Sequence, residues 1–170
     1  MTLYERLYQD LKESQLERKE LRVSVLRLAL ASLNNKQIEK RTRLSKTSPL
    51  EKLEELSKLA KLTEEEIIET LNSEAKKRKE SITSFKQGQR QELAEKEEKE
   101  LIILEEYLPK PIAEKELREM VKEVIAKVNA GSLADLGKVM SQLMPEIKKK
   151  GRADGSLVNQ IVKELLSQKK

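Results

Sequence analysis

Apolar residues return every third or fourth position through almost the whole chain, the period of a helix with one buried face. The first such stretch predicts a helix over about 2–15, with Leu3, Leu7, Tyr8 and Leu11 on one side. A second, about 18–42, carries Leu21, Val25, Leu28, Ala29, Leu33 and Ile38, and its middle, "VSVLRLALASL", is the most apolar part of the chain. Pro49 disfavours a helical Ser48 and predicts a break over 43–50. Helices about 50–60, 64–87 and 90–107 follow. Thr63 and Glu66 have the spacing of a capping box, in which hydroxyl and carboxylate each satisfy one orphan amide. Gly88 stands where the fourth helix should end.

The pattern then stops at "LPKP". Pro109 and Pro111 make a stiff extended joint, and a domain boundary is expected there, between residues 1–108 and 109–170. Beyond it the period predicts helices at about 113–129, 133–144 (with a turn continuing to Lys149) and 155–168. Gly131 closes the first of these and Ser132 caps the second. The expected fold is all-α: an N-terminal helical bundle followed by a C-terminal three-helix module.

Composition agrees with this reading. Of 170 residues, 37% are hydrophobic but only 2% aromatic, so aliphatic side chains must build the core. Glycine and proline number five and four, too few for a turn-rich fold. No apolar run approaches the roughly 18 residues that span a bilayer. The start, "MTLYERLYQDLKES", contains acids and no apolar segment and does not read as a secretory signal. A cytoplasmic location, without membrane association, is the expectation.

Two zero counts narrow the chemistry. Without histidine or cysteine the chain cannot build thiol nucleophiles, Ser–His pairs or ordinary zinc sites. No GxxxxGK[ST] loop is present, so phosphate binding of that kind is excluded. No catalytic constellation, metal site or cofactor is expected.

Charge changes the picture more. Residues 1–108 hold 22 basic and 22 acidic side chains, whereas residues 109–170 hold 13 and 8, so the net +5 lies wholly after the joint. Within 138–152, Lys138, Lys148, Lys149, Lys150 and Arg152 face a single acid, Glu146. A basic patch on a small helical module is the usual footprint of a polyanion partner. Two other basic groups have blander readings. "KKRK" at 76–79 reads as a solvated helix with ion pairs one turn apart. Lys36, Lys40, Arg41, Arg43 and Lys46, opposed only by Glu39, read as cations suiting a helix C-terminus.

In the stretch "MPEIKKKGRADGSLVNQ", Asp154 is placed to cap the last helix. Gly151 and Gly155 give the loop backbone angles other residues avoid. A capped loop with solvated lysines is the plain reading, and a phosphate cradle at the helix start the sharper one. Gly137 lies inside a helical pattern and suggests a tight helix crossing or, alternatively, a ligand backbone passing close by.

The residues "LADLGKVMSQLMPEIKKKGRADGSLVNQIV", with "EKELIILEEYLP" and "LRLALASLNNKQIEKR" upstream, resemble the GatB/YqeY family. The resemblance implies a two-part helical fold whose C-terminal module is similar to the tail domain of the GatB subunit of tRNA-dependent amidotransferase. That tail is taken to contact tRNA, while catalysis resides in domains absent here. It implies RNA-binding character for Lys138, Lys148, Lys149, Lys150, Arg152, Asp154, Ser156 and Asn159. The expected function is thus a non-catalytic protein binding structured RNA, tRNA before others. The alternatives are an adaptor docking on a tRNA amidotransferase or synthetase and, last, an accessory of carbon–nitrogen ligation with glutamine as amido donor.

Overall fold

The computed structural model describes residues 1–47 and 53–168. The protein is all-α: among the described residues there are eight α-helices and one 3-10 turn. The chain divides into two compact units, Met1–Leu108 and Pro109–Lys170.

Unit 1 contains α1 (Leu3–Leu16), α2 (Glu20–Thr47), α3 (Leu53–Leu59), α4 (Glu64–Gln87) and α5 (Gln91–Glu105). The helix starts are set locally. Thr2 and Glu5 form a capping box on α1, and Thr63 and Glu66 form the expected one on α4. Leu7, Leu26, Leu33, Leu71 and Leu104 meet in one aliphatic core.

On α2 the buried residues are Val25, Leu26, Ala29, Leu30 and Leu33. At about 100° per residue they span one arc, and Leu28 lies about 130° from its centre. Leu28 and Ile38 are accordingly exposed, as is Tyr8, although their spacing places each on an apolar helix face. α2 also continues five residues past its expected end. Neither glycine nor proline interrupts residues 43–47, and the Ser45 and Thr47 hydroxyls bond back to carbonyls of the same helix. Pro49 and Ser48, on which the expected break rested, lie outside the described residues, as do Lys169 and Lys170.

Gly88 does end α4, but with φ −81, and the left-handed position falls to Gln89 with φ 55. The amides of Gln89 and Arg90 close the turn on Lys86 and Phe85. Gln89→Gly should therefore raise the stability of the α4–α5 hairpin by about 1 kcal/mol, read as slower amide exchange there.

The "KKRK" run is only partly solvated. Arg78 turns inward and reaches Glu97 and Glu100 of α5, while Lys76, Lys77 and Lys79 stay exposed. Tyr107, also buried, donates to Asp10 of α1 and accepts from Arg22 of α2, tying the end of the α5 segment to both helices. Burial and the bond to Asp10 push its phenol well above its ordinary pKa.

Unit 2 is built from α6 (Glu114–Lys127), a 3-10 turn (Leu133–Asp135), α7 (Leu136–Lys150) and α8 (Gly155–Ser167). Each α-helix buries one stripe: Leu117, Val121 and Val124 meet Val139, Leu143 and Ile147 with Val158, Ile161 and Val162. α6 ends at Lys127, and the left-handed residue past its end is Asn129, with φ 51, two positions before the Gly131 expected to close the helix. α7 runs through Pro145 to Lys150 as a helix rather than a turn. Pro145 is exposed, so its ring lies off the stripe that buries Val139, Leu143 and Ile147.

Candidate nucleic-acid interface

α7 ends in Lys148, Lys149 and Lys150, all exposed and all in the turn where the helix dipole favours cations. The chain then passes Gly151 in an extended conformation, φ 169 and ψ −141, so this glycine is not needed for backbone angle. It is needed for space. A Cβ there would lie 2.5 Å from the Lys110 carbonyl oxygen. The reason for the close approach is a short parallel bridge between Pro111 and Arg152. The Arg152 amide donates to the Lys110 carbonyl at 3.1 Å, and the Ile112 amide donates to the Arg152 carbonyl at 2.8 Å.

That bridge adds a residue that sequence reasoning missed. It brings Lys110, 42 positions from Arg152 in the chain, beside the α7–α8 corner. The one sequence signal near it is Gly151, read there for its backbone angles and not for the space that a second backbone needs.

Asp154 caps α8 as expected. Its Oδ1 accepts from the Ser156 amide at 2.8 Å and from the Ser156 hydroxyl. The start of α8 is thus satisfied in part from within, which leaves less of it for an anion than a bare helix start would offer. Gly155 occupies the first helical position with open space around it, so it too is free of the strained angle anticipated for it.

The eight candidate residues do not form one group. Lys148, Lys149, Lys150, Arg152, Asp154 and Ser156 share the corner by chain proximity. Asn159 is half-buried, one turn into α8. Lys138 stands apart: it is near the opposite end of α7, ten residues or about 15 Å from Lys148. Its Nζ donates to the Val128 carbonyl at 2.8 Å and so closes the C-terminus of α6. Gly137 beside it has nothing within 4 Å of a Cβ, which removes the helix crossing as its explanation.

The corner cations differ in freedom. Lys150 donates to Glu116 at 2.9 Å, and this pairing holds its ammonium above the usual lysine range. Both partners are about half exposed, 55% and 48%, and a pair in that setting is weak because solvent screens it. A phosphate can therefore compete for Lys150. Arg152 is half-buried and fixed through its backbone.

Among the described residues no three or more carboxylates are grouped so that they could hold a metal ion, and no helix is long and apolar enough to cross a membrane.

A family model described as "Yqey-like protein" matches residues 4–166. The chain belongs to the YqeY family. The match spans both units, so membership covers the helical bundle as well as the basic module. No curated protein matches the chain.

Proposed function

We propose that this YqeY-family protein is a non-catalytic, cytoplasmic binder of structured RNA, tRNA before others, acting through phosphate contacts at the α7–α8 corner. The supporting observation is the corner's composition: Lys148, Lys149, Lys150 and Arg152, joined across the bridge by Lys110, in a unit that carries the whole net charge. The likeness of residues 109–170 to the GatB tail domain supports the same class of partner. Recognition would be of backbone and shape. One phenylalanine and three tyrosines, with Tyr107 buried, leave no stacking platform for single strands.

Backbone recognition is salt-sensitive because each neutralised phosphate releases counterions. Contact with four or five phosphates predicts a log–log salt slope of about −4 in a filter-binding titration with tRNA. The triple variant Lys148→Glu, Lys149→Glu, Lys150→Glu should weaken binding and flatten that slope by about 3, with its melting profile nearly unchanged. Native affinity in the triple variant would remove the corner from consideration. A flat salt response together with a stably co-purifying synthetase or amidotransferase would favour the adaptor reading.

A further inference from the structure

The second half of α2 packs along one narrow stripe, where Gln37, Lys40 and Leu44 are half-buried. The five buried residues of α2 all lie between Val25 and Leu33, and none of residues 34–47 is buried. That second half is about 21 Å of helix. It carries Lys36, Lys40, Arg41, Arg43 and Lys46 against one acid, Glu39.

Part of this charge has an internal use. Lys40 donates to the Lys61 carbonyl at 3.0 Å and to Glu66, in the first turn of α4, at 2.7 Å. Arg41 lines a cleft with Ser57 of α3. Beyond Lys40 the helix overshoots the start of α4, and the ion pairs stop with it: among the described residues neither Arg43 nor Lys46 has a carboxylate partner. The helix dipole accounts for Lys46 alone, because its effect fades within the last turn. Arg43 and Lys46, three apart, repel one another, as do Lys40 and Arg43. Glu66 offsets the charge of Lys40, and among the described residues no ion pair offsets that of Arg43 and Lys46.

We infer that the C-terminal half of α2 is a second phosphate-contacting surface, on unit 1, for the backbone of the RNA partner. The inference rests on the RNA reading given above. Lys36, Arg43 and Lys46 fall within about 80° of one another at about 100° per residue, so their side chains leave the helix on one side. Among the described residues the ion pair of Lys36 is with Glu39 at 3.8 Å, both side chains exposed, which a phosphate can displace; Lys36 also lines a cleft with Glu66, Glu69 and Glu74, so the phosphate must approach from the Arg43 and Lys46 side. A polyanion lying along this side relieves the repulsion and releases counterions for each cation engaged.

The test compares two variants of the full chain in filter binding with unfractionated tRNA across about 50 to 200 mM salt. The first is Lys36→Gln, Arg43→Gln, Lys46→Gln; the second is the corner triple variant. If α2 contacts RNA, the native slope is steeper than the value of about −4 from the corner contacts alone, and the first variant binds at least tenfold more weakly at the lower salt with a slope shallower by about 2–3. All three side chains are exposed, so helicity by circular dichroism should match the native chain. An α2 variant with native affinity and native slope overturns the inference, while the corner variant still decides the RNA reading. Loss confined to the α2 variant supports the inference and moves the RNA site from the corner. No salt-dependent tRNA binding by the native chain overturns both.

Discussion

Replacing Arg78 by alanine is expected to destabilise the α4–α5 hairpin by about 3–5 kcal/mol, the largest effect of any single charge in unit 1. Arg78 bridges Glu97 at 3.1 Å and Glu100, and its own side chain is only 12% exposed. Glu100 is 7% exposed, so without the guanidinium its carboxylate would stay buried with its main partner gone. Desolvated charge with no partner is what makes the loss large; the pair as a whole need not be strongly stabilising. The Nε of Arg78 is buried and has no hydrogen-bond partner among the described residues, so the guanidinium is itself incompletely compensated. It follows that Arg78→Leu combined with Glu100→Leu should recover most of the loss. Amide exchange in α4 and α5 reads this unit directly. Lys77→Ala is the control: its pair with Glu74 is exposed on the lysine side, and exchange in α4 and α5 should stay at the native rate. Similar losses for Arg78→Ala and Lys77→Ala would show that Arg78 is as solvated as its neighbours.

Gly151→Ala should have the next largest effect, about 1–3 kcal/mol of destabilisation in unit 2. The added methyl group would meet the Lys110 carbonyl oxygen at 2.5 Å, a backbone atom held by the bridge to Arg152. Relief requires the Lys110–Ile112 segment to move away from the corner. The variant should thus weaken tRNA binding although no charge is lost. Gly155, four residues on, is the internal comparison. Space around it is open and its conformation is helical, so Gly155→Ala should be neutral or stabilising by about 0.5–1 kcal/mol. Denaturant titration of both variants, with filter binding beside it, separates the two glycines. Equal midpoints would mean that the Pro111–Arg152 bridge is not maintained in solution.

How much of this was legible depended on the range of the interaction. The Thr63–Glu66 box and the Asp154 cap were readable because donor and acceptor are two or three residues apart. The three helices of unit 2 were readable because each buries one stripe at the helical period. The interior position of Arg78 was not. Four consecutive cations point in four directions, and only the placement of Glu97 and Glu100 on α5 selects one of them.

Leu26 and Leu28 differ in the same way. Both are leucines in the most apolar stretch of the chain, yet the neighbouring helices meet one and leave the other in solvent. Lys138 has the composition of a phosphate ligand and the geometry of a helix cap. Lys110 shows the reverse, an unremarked lysine in a proline joint that the bridge carries to the basic corner.

By itself the sequence determined the all-α class, the helix starts, the absence of histidine and cysteine chemistry and the gathering of net charge after residue 108. These follow from composition and from contacts within one or two helical turns. Tertiary structure alone decided which cations are structural and which are available, and which glycine is sterically required. Those outcomes depend on atoms brought together from distant parts of the chain, and periodicity along one helix carries no information about what lies across from it.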